Sequence, residues 1–286
     1  MSPHINLTEY YHKTDENQLD TSAFDLYALF SPGSFSYLLL DNRVPEVVYF
    51  EKYTLDTQAD WLISLNEISS RKPLLLKNFQ NRHFIFRDNI YTLMPFGLFD
   101  KDNLDLYLQF NHTIGRNVQS YFDRLKSAES YLIYVAPKSA FTWIHDHFEK
   151  FRIKHHNSIF TDYIFTYHNT EANGKTLFIH VWEDNLDILH IAQGKLIFLN
   201  TFTFTSKEEF IYFILFTAKQ LKLPLQQLRV HLMGEIDQGS ELYKITSRYI
   251  RFAQLHQTAE FSATYESGNN YSALHNFIIH NAFLCE

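Results

Sequence analysis

EVVYFEKYTLDTQADWLISL, residues 46–65, opens as a strand and closes as a helix. Glu46 to Tyr53 is rich in Val, Tyr and Phe, which fit a pleated, half-buried surface. Trp61, Leu62, Leu65 and the following Ile68 then recur at helical spacing, with Asp56 or Thr57 available to cap the helix. KLIFLNTFTFTSKEEFIYFIL, residues 195–215, follows the same plan 149 positions on and without a gap. Val47 aligns with Leu196, Val48 with Ile197, Tyr53 with Phe202, Thr57 with Ser206, Trp61 with Phe210 and Leu62 with Ile211. Identity is low, but strand end, capping hydroxyl and first helix aromatic hold one register, which points to an internal duplication.

Working outward, two more short extended runs precede the first copy, Phe24 to Phe30 and Phe35 to Asp41. Turn signals at Ser31-Pro32-Gly33-Ser34 and at residues 41–45 separate them, so the three runs read as an antiparallel meander. Leu177 to Glu183, Leu186 to Ala192 and Lys195 to Thr203 repeat the meander, and a helix from Lys207 to about Lys222 begins behind Ser206. The first half continues with a strand over 130–136, a helix over 139–151 and a strand over 159–167. The second continues with a strand over 228–233, a helix over 240–248 and a strand over 249–255. Each half is therefore expected to be β-β-β-α-β-α-β. An insertion over 71–125 holds a hairpin turning at Asp88-Asn89 and a short helix after Asp100. The expected divisions are a polar leader over 1–20, an N-terminal lobe over 21–170 and a C-terminal lobe over 171–286 with a closing helix over 271–284.

Composition narrows the function classes. The 286 residues are 45% hydrophobic, with 27 Phe and 18 Tyr but only 8 Gly and 7 Pro, which excludes disordered and collagen-like chains. A net charge of −7 argues against nucleic acid as a partner, because that affinity rests on clustered Lys and Arg. Cys285 is the single cysteine, so no intramolecular disulfide is expected. No signal-peptide core and no membrane span is read, and the expected location is the cytoplasm.

Three meandering strands, a crossover helix, a strand, a helix and a strand, given twice, resemble the duplicated ribonuclease-H-like architecture of the actin, sugar kinase and Hsp70 superfamily. The plan is similar to the pseudo-ATPases of type IV pilus and type II secretion assembly. YTLMPFGLFDKDNLDLYLQFN, residues 91–111, and the terminal NAFLCE resemble a bacterial family of unknown function with an actin-like ATPase fold. The resemblance implies an α/β protein of two ribonuclease-H-like lobes in an actin-like ATPase arrangement. A shared fold does not carry an activity with it.

In superfamily members that hydrolyse ATP, the first hairpin of each half approaches phosphate with an Asp-x-Gly turn. Here Ser31 stands near the Asp position, Pro32 removes a backbone donor, and Gly33 and Ser34 follow. The second hairpin, Glu183-Asp184-Asn185, has acids but no Gly, and Asn185 is the residue expected to tolerate positive φ. The adenosine loop usually carries paired glycines, whereas here Gly234 precedes Glu235, whose carboxylate would repel phosphate. Ser31, Gly33, Ser34, Asp184, Asn185, Asp187, Gly234 and Glu235 are the candidate cleft residues. With these motifs degraded, phosphoryl transfer is not expected, because it depends on positioning and metal-borne charge stabilisation.

The other constellations are weaker. The 15 His invite a metal reading, but His145 and His147 point apart on a helix, and His155, His156, His168 and His180 lack a Cys or Glu at ligand spacing. Surface positions account for them, and His231 is expected as a satisfied interior residue, with a cleft position as the alternative. Asp184 and Asp187 could serve a two-metal nuclease, yet LFIHVWE offers no inward Asp. No Gly-x-Ser-x-Gly elbow surrounds Ser34. The expected function is a catalytically inactive scaffold that binds another protein and no cofactor, with a second copy of the chain as a further candidate partner. The alternative is a Mg-ATP-dependent ATPase or kinase with divergent loops.

Overall fold

Strand β1 spans Ile5–His12, β2 Phe24–Ser31, β3 Ser34–Asp41 and β4 Glu46–Leu55. The last three form the expected meander, β2 antiparallel to β3 and β3 to β4. The computed structural model describes residues 4–13, 15–16, 19–56, 60–168, 174–256 and 271–285. Contrary to the reading of residues 1–20 as a leader, β1 pairs antiparallel with β4. Its residues are mostly exposed, as befits an edge strand, and that polarity hides it in the sequence.

Helix α1, Trp61–Arg71, is capped by Asp60, whose side chain accepts from the Leu62 amide, so Asp56 is not the cap, and the other candidate, Thr57, lies outside the described residues. Strand β5, Asn81–Phe86, runs parallel to β2. It does not form a hairpin with β6, Tyr91–Pro95, which lies in another sheet with β7, Val118–Leu125, and β8, Ser130–Pro137. That antiparallel sheet, in the order β6-β8-β7, carries α2, Leu104–Gln109. The strand expected at 130–136 thus belongs to the insertion, and β5 holds the fourth place in the main fold. Helix α3, Lys138–His147, stops short of the expected 151, and β9, Arg152–His155, follows parallel to β5. Residues expected as a strand over 159–167 lie instead in α4, His156–Tyr167.

Strands β10, Thr176–Trp182, β11, Asn185–Ala192, and β12, Lys195–Thr203, form the second meander. Helix α5, Lys207–Gln220, is capped by Ser206 as expected. Strand β13, Arg229–Gly234, α6, Glu241–Tyr249, and β14, Phe252–Leu255, complete the set. The closing helix is shorter than expected: α7 spans Phe277–Asn281 and passes into a 3-10 turn over Ala282–Cys285.

The chain divides into two units, one within residues 1–125, 129–158 and 267–271, the other within 126–128, 159–266 and 272–286. The main sheet of the first has the order β1-β4-β3-β2-β5-β9, and the sheet of the second β12-β11-β10-β13-β14. Without β1 the two orders are equivalent, antiparallel across the meander and parallel beyond it. The duplication holds for topology, but its gap-free register breaks at the helix: the caps Asp60 and Ser206 lie 146 positions apart, not 149. The core of the second unit is built from Ile179, Val181, Ile188, Ile214, Val230 and Leu232 with their neighbours. In the first, Phe30 meets Phe35 and Trp61 with ring centres 5.2 and 5.3 Å apart.

Candidate functional site

In the first unit, Ser31 pairs with Ser34 and leaves Pro32-Gly33 as a two-residue turn. Pro fixes the first turn position and Gly33, at φ 79°, takes the left-handed second one, so this is an ordinary type II sequence. The turn is held in place, since the Leu55 amide donates to the Gly33 carbonyl at 2.8 Å. It lines a cavity of about 220 Å³ at the carboxyl ends of β2 and β5, together with Trp61, Arg87 and Asp88. Ligand pockets sit at this end of such sheets, but this volume falls below the roughly 300–1,000 Å³ usual for them. Two acids line the cavity, Asp56 and, with the perturbed carboxyl, Asp88. Burial pushes its carboxyl above the ordinary range, against the Ile90 amide that donates to it at 2.8 Å.

In the second unit, Trp182 pairs with Asn185, and the turn residues are Glu183 and Asp184. Glu183, not Asn185, has positive φ, at 49°. The Glu183 amide donates to the Glu235 carboxylate at 2.9 Å. An anion supplied by the chain itself therefore sits on the turn amide that would face phosphate in an ATPase of this plan. Asp187, two residues into β11, is fully buried and points away from any such role. It accepts from His180 Nδ1 and Trp182 Nε1 at 2.9 Å each, and from Thr201 Oγ1 at 2.5 Å. Asn185 accepts from Thr203 Oγ1 at 2.8 Å, and Asp184 is exposed.

Gly234 has its own reason to be glycine. At φ 88° it closes β13 beside β10, and a Cβ there would lie 2.1 Å from the Val181 carbonyl oxygen. Backbone approach within the sheet, rather than approach to a ligand, accounts for it. Within the second unit the structure brings together Gly234, Glu235 and the Glu183-Asp184 turn, and within the first the turn at Ser31, Gly33 and Ser34 lines the cavity near Asp88.

The profile of a family described as "Protein of unknown function (DUF3822)" matches residues 14–252. The chain belongs to the DUF3822 family. Its fold is that of a Bacteroides thetaiotaomicron protein with an actin-like ATPase fold and unknown function, at 18% identity and a TM-score of 0.80, covering 94% of this chain and 100% of that one. It is similar at lower scores to the PilM-PilN type IV pilus biogenesis complex, at 9% identity, 82% and 88% coverage and a TM-score of 0.49. EutJ from Carboxydothermus hydrogenoformans gives 9%, 81%, 84% and 0.46. No curated protein sequence matches the chain.

This DUF3822 chain also holds ionisable clusters that sequence reading missed. Glu51, central on β4 and fully buried, accepts from the hydroxyls of Tyr37, Tyr49 and Tyr53 at 2.8, 2.8 and 2.5 Å. Lys72 Nζ at 2.8 Å and His12 Nε2 at 3.1 Å complete the ring of donors. Burial opposes the charge, but His12, Lys72 and the hydroxyls overcome it and hold the Glu51 carboxyl down at about 2. Tyr49 and Tyr53 flank Glu51 on the same face of β4, but a strand Glu gives no sign of its burial, because His12, Tyr37 and Lys72 come from other parts of the chain. Every lone pair is occupied, so the cluster is suited to fixing β1, β3, β4 and the end of α1 together, not to chemistry.

Asp123 on β7 is the opposite case. Burial pushes its carboxyl up to about 6 despite the His155 amide at 2.7 Å and the Tyr134 hydroxyl at 3.3 Å. The histidines also depart from the surface reading: His155, His156 and His180 are buried, while His145 and His147 are exposed. His231 is half-buried beside the cavity of the second unit, and its strand neighbours Val230 and Leu232 face the core.

Proposed function

We propose that this DUF3822 chain is a catalytically inactive actin-like protein that acts in the cytoplasm by binding another protein, without Mg-ATP. The contact between the Glu235 carboxylate and the Glu183 amide carries this reading, since an internal carboxylate competes with phosphate for the donor and repels it by charge. Ser31 and Pro32 support it from the first unit, where they supply neither a metal-binding carboxylate nor a donor at that position. Calorimetric titration with Mg-ATP and Mg-ADP tests it, with no saturable heat expected from the wild type. Saturable binding at micromolar concentration would replace it with the ATPase or kinase reading.

The partner reading rests on strand β12. In the first unit the equivalent strand, β4, is covered by β1, whereas among the described residues β12 has only β11 beside it. Ile197 on β12 is 50% exposed, and α5 exposes Tyr212 and Phe216, stacked at 5.7 Å. An extended segment of a partner adding to β12 would repeat what β1 does for β4. A photo-crosslinker at Ile197 should yield one discrete adduct in cells. Adducts of the chain with itself, together with a dimer in sedimentation, would make the partner a second copy.

A further inference from the structure

The two meanders carry the same irregularity. Tyr49 pairs with Leu39 and Val47 with Leu40, so Val48 bulges from β4. Phe198 pairs with His190 and Leu196 with Ile191, so Ile197 bulges from β12. The shared bulge fixes a residue-by-residue equivalence between the strands: Glu46 with Lys195, Tyr49 with Phe198, Glu51 with Asn200 and Tyr53 with Phe202.

In the first unit β1 and the residue after it engage every one of these positions. Leu7 stands opposite Tyr53, the His12 ring stacks on Tyr49 at 4.0 Å and bonds Glu51 at 3.1 Å, and Lys13 Nζ donates to Glu46 at 2.6 Å. Tyr49, Glu51 and Tyr53 are buried. On β12 the equivalent positions are open. Phe198 and Phe202 are half-buried, and Asn200 and Lys195 are exposed. Among the described residues the Asn200 side chain makes no hydrogen bond and Lys195 makes no ion pair. The bulged Ile197 is 50% exposed, whereas Val48 is buried.

Helix α5 extends the difference. Counted from the caps Asp60 and Ser206, Asn66 and Ser70 on α1 correspond to Tyr212 and Phe216 on α5, and all four are exposed. Phe213 stacks on Phe202 at 4.8 Å and meets Tyr212 at 5.5 Å, so an aromatic surface runs from the β12 edge onto the helix. Natural proteins blunt or cover such an edge, and exposed apolar patches mark interaction sites.

We infer that β12 receives an extended segment of another protein, antiparallel to it, with a defined side-chain order. From its amino end the segment carries an apolar residue, any residue, a hydrogen-bonding residue, any residue, an aromatic residue and an Asp or Glu. The apolar residue lies opposite Phe202, the hydrogen-bonding one opposite Asn200 and the aromatic one opposite Phe198, while the acid meets Lys195. The backbone ladder supplies affinity and the alternate side chains supply selectivity. Charge disfavours β1 of a second copy in this place, because Lys13 would then face Lys195. The inference rests on the partner reading of β12 given above and adds the chemistry of the segment.

The test selects random dodecapeptides displayed on phage against the full chain, then titrates a synthetic peptide of the enriched sequence. The enriched sequences should carry the order given above. The peptide should crosslink to a photoreactive residue at Ile197 and should bind at least tenfold more weakly when alternate amides are N-methylated. Lys195→Glu should weaken it about fivefold, and exchanging the peptide's acid for Lys should restore binding to that variant, which also shows the variant to be folded. Peptides that crosslink at Ile197 but lack the order or the acid would overturn this inference and leave the edge reading standing. Peptides that neither crosslink there nor respond to Lys195→Glu, or a library that yields no binder, would overturn both.

Discussion

The hairpins β2–β3 and β10–β11 hold the same place in two equivalent sheets, and their turns are built in different ways. The first keeps a turn glycine but has Ser31 and Pro32 in place of a carboxylate and a donor. The second keeps acids, yet Glu235 covers its turn amide and Asp187 is spent on His180, Trp182 and Thr201. A topology can therefore be retained for its packing while each copy rebuilds its loops by separate routes.

Glycine substitution should separate the copies most sharply. Gly234→Ala forces a Cβ to 2.1 Å from a carbonyl oxygen and strains a positive φ, so a loss of about 4 kcal/mol or more, or failure of the second unit to fold, is expected in denaturant titration. Gly33→Ala strains a positive φ and should cost about 1 kcal/mol. Equal losses would erase the distinction between a glycine required by packing and one required by a turn.

The buried carboxylates come next. Glu51→Gln and Asp187→Asn each place an amide donor among hydroxyl, ring or ammonium donors, and each should cost about 3 kcal/mol by denaturant titration. A neutral result at either site would show that its donors find other partners.

Acid should then affect the units in different windows. His168, His256 and His280 are held neutral by burial, at about 4, 4 and 3 against an ordinary 6.5. Folded pKa values below the unfolded ones mean stability present above pH 6.5 that is lost as pH falls towards 4. In the first unit, Asp123 takes a proton near 6 in the fold and near 3.8 when unfolded, so the same fall in pH relieves its burial cost. Glu51, at about 2 against 4.5, withdraws its contribution only below pH 4.5. Amide exchange should therefore rise in β10 to β14 between pH 6.5 and 4.5 while β2 to β5 stay protected. Simultaneous opening would contradict this ordering.

The smallest effect tests the shifted register of the duplication. Asp60→Ala and Ser206→Ala each remove an observed helix cap and should each cost about 1 kcal/mol in thermal unfolding. No loss from Asp60→Ala would return the cap to the gap-free alignment.

Both meanders were legible because turn residues and β-rich runs are local signals, and the fold followed from their repetition. Strand β5 was hidden, since its partners β2 and β9 are remote and Asp88-Asn89 looks like a hairpin turn although β6 joins another sheet. Helix α4 is the segment expected as a strand over 159–167. Ile159, Phe160, Tyr163 and Ile164 are all buried and recur at helical, not alternating, spacing. At the candidate site, Gly234 and Glu235 stood out by type, but their partners Val181 and Glu183 lie across the sheet, so neither the clash nor the carboxylate contact could be read from neighbours in sequence.

The central claim is that the phosphate site is closed by the chain's own carboxylate. Calorimetric titration of Mg-ATP into the wild type and into Glu235→Ala, which frees the Glu183 amide, tests it most directly. The account predicts no saturable heat from the wild type, even at millimolar nucleotide. Saturable, micromolar binding by the wild type would contradict it, all the more if it survives unchanged in Glu235→Ala.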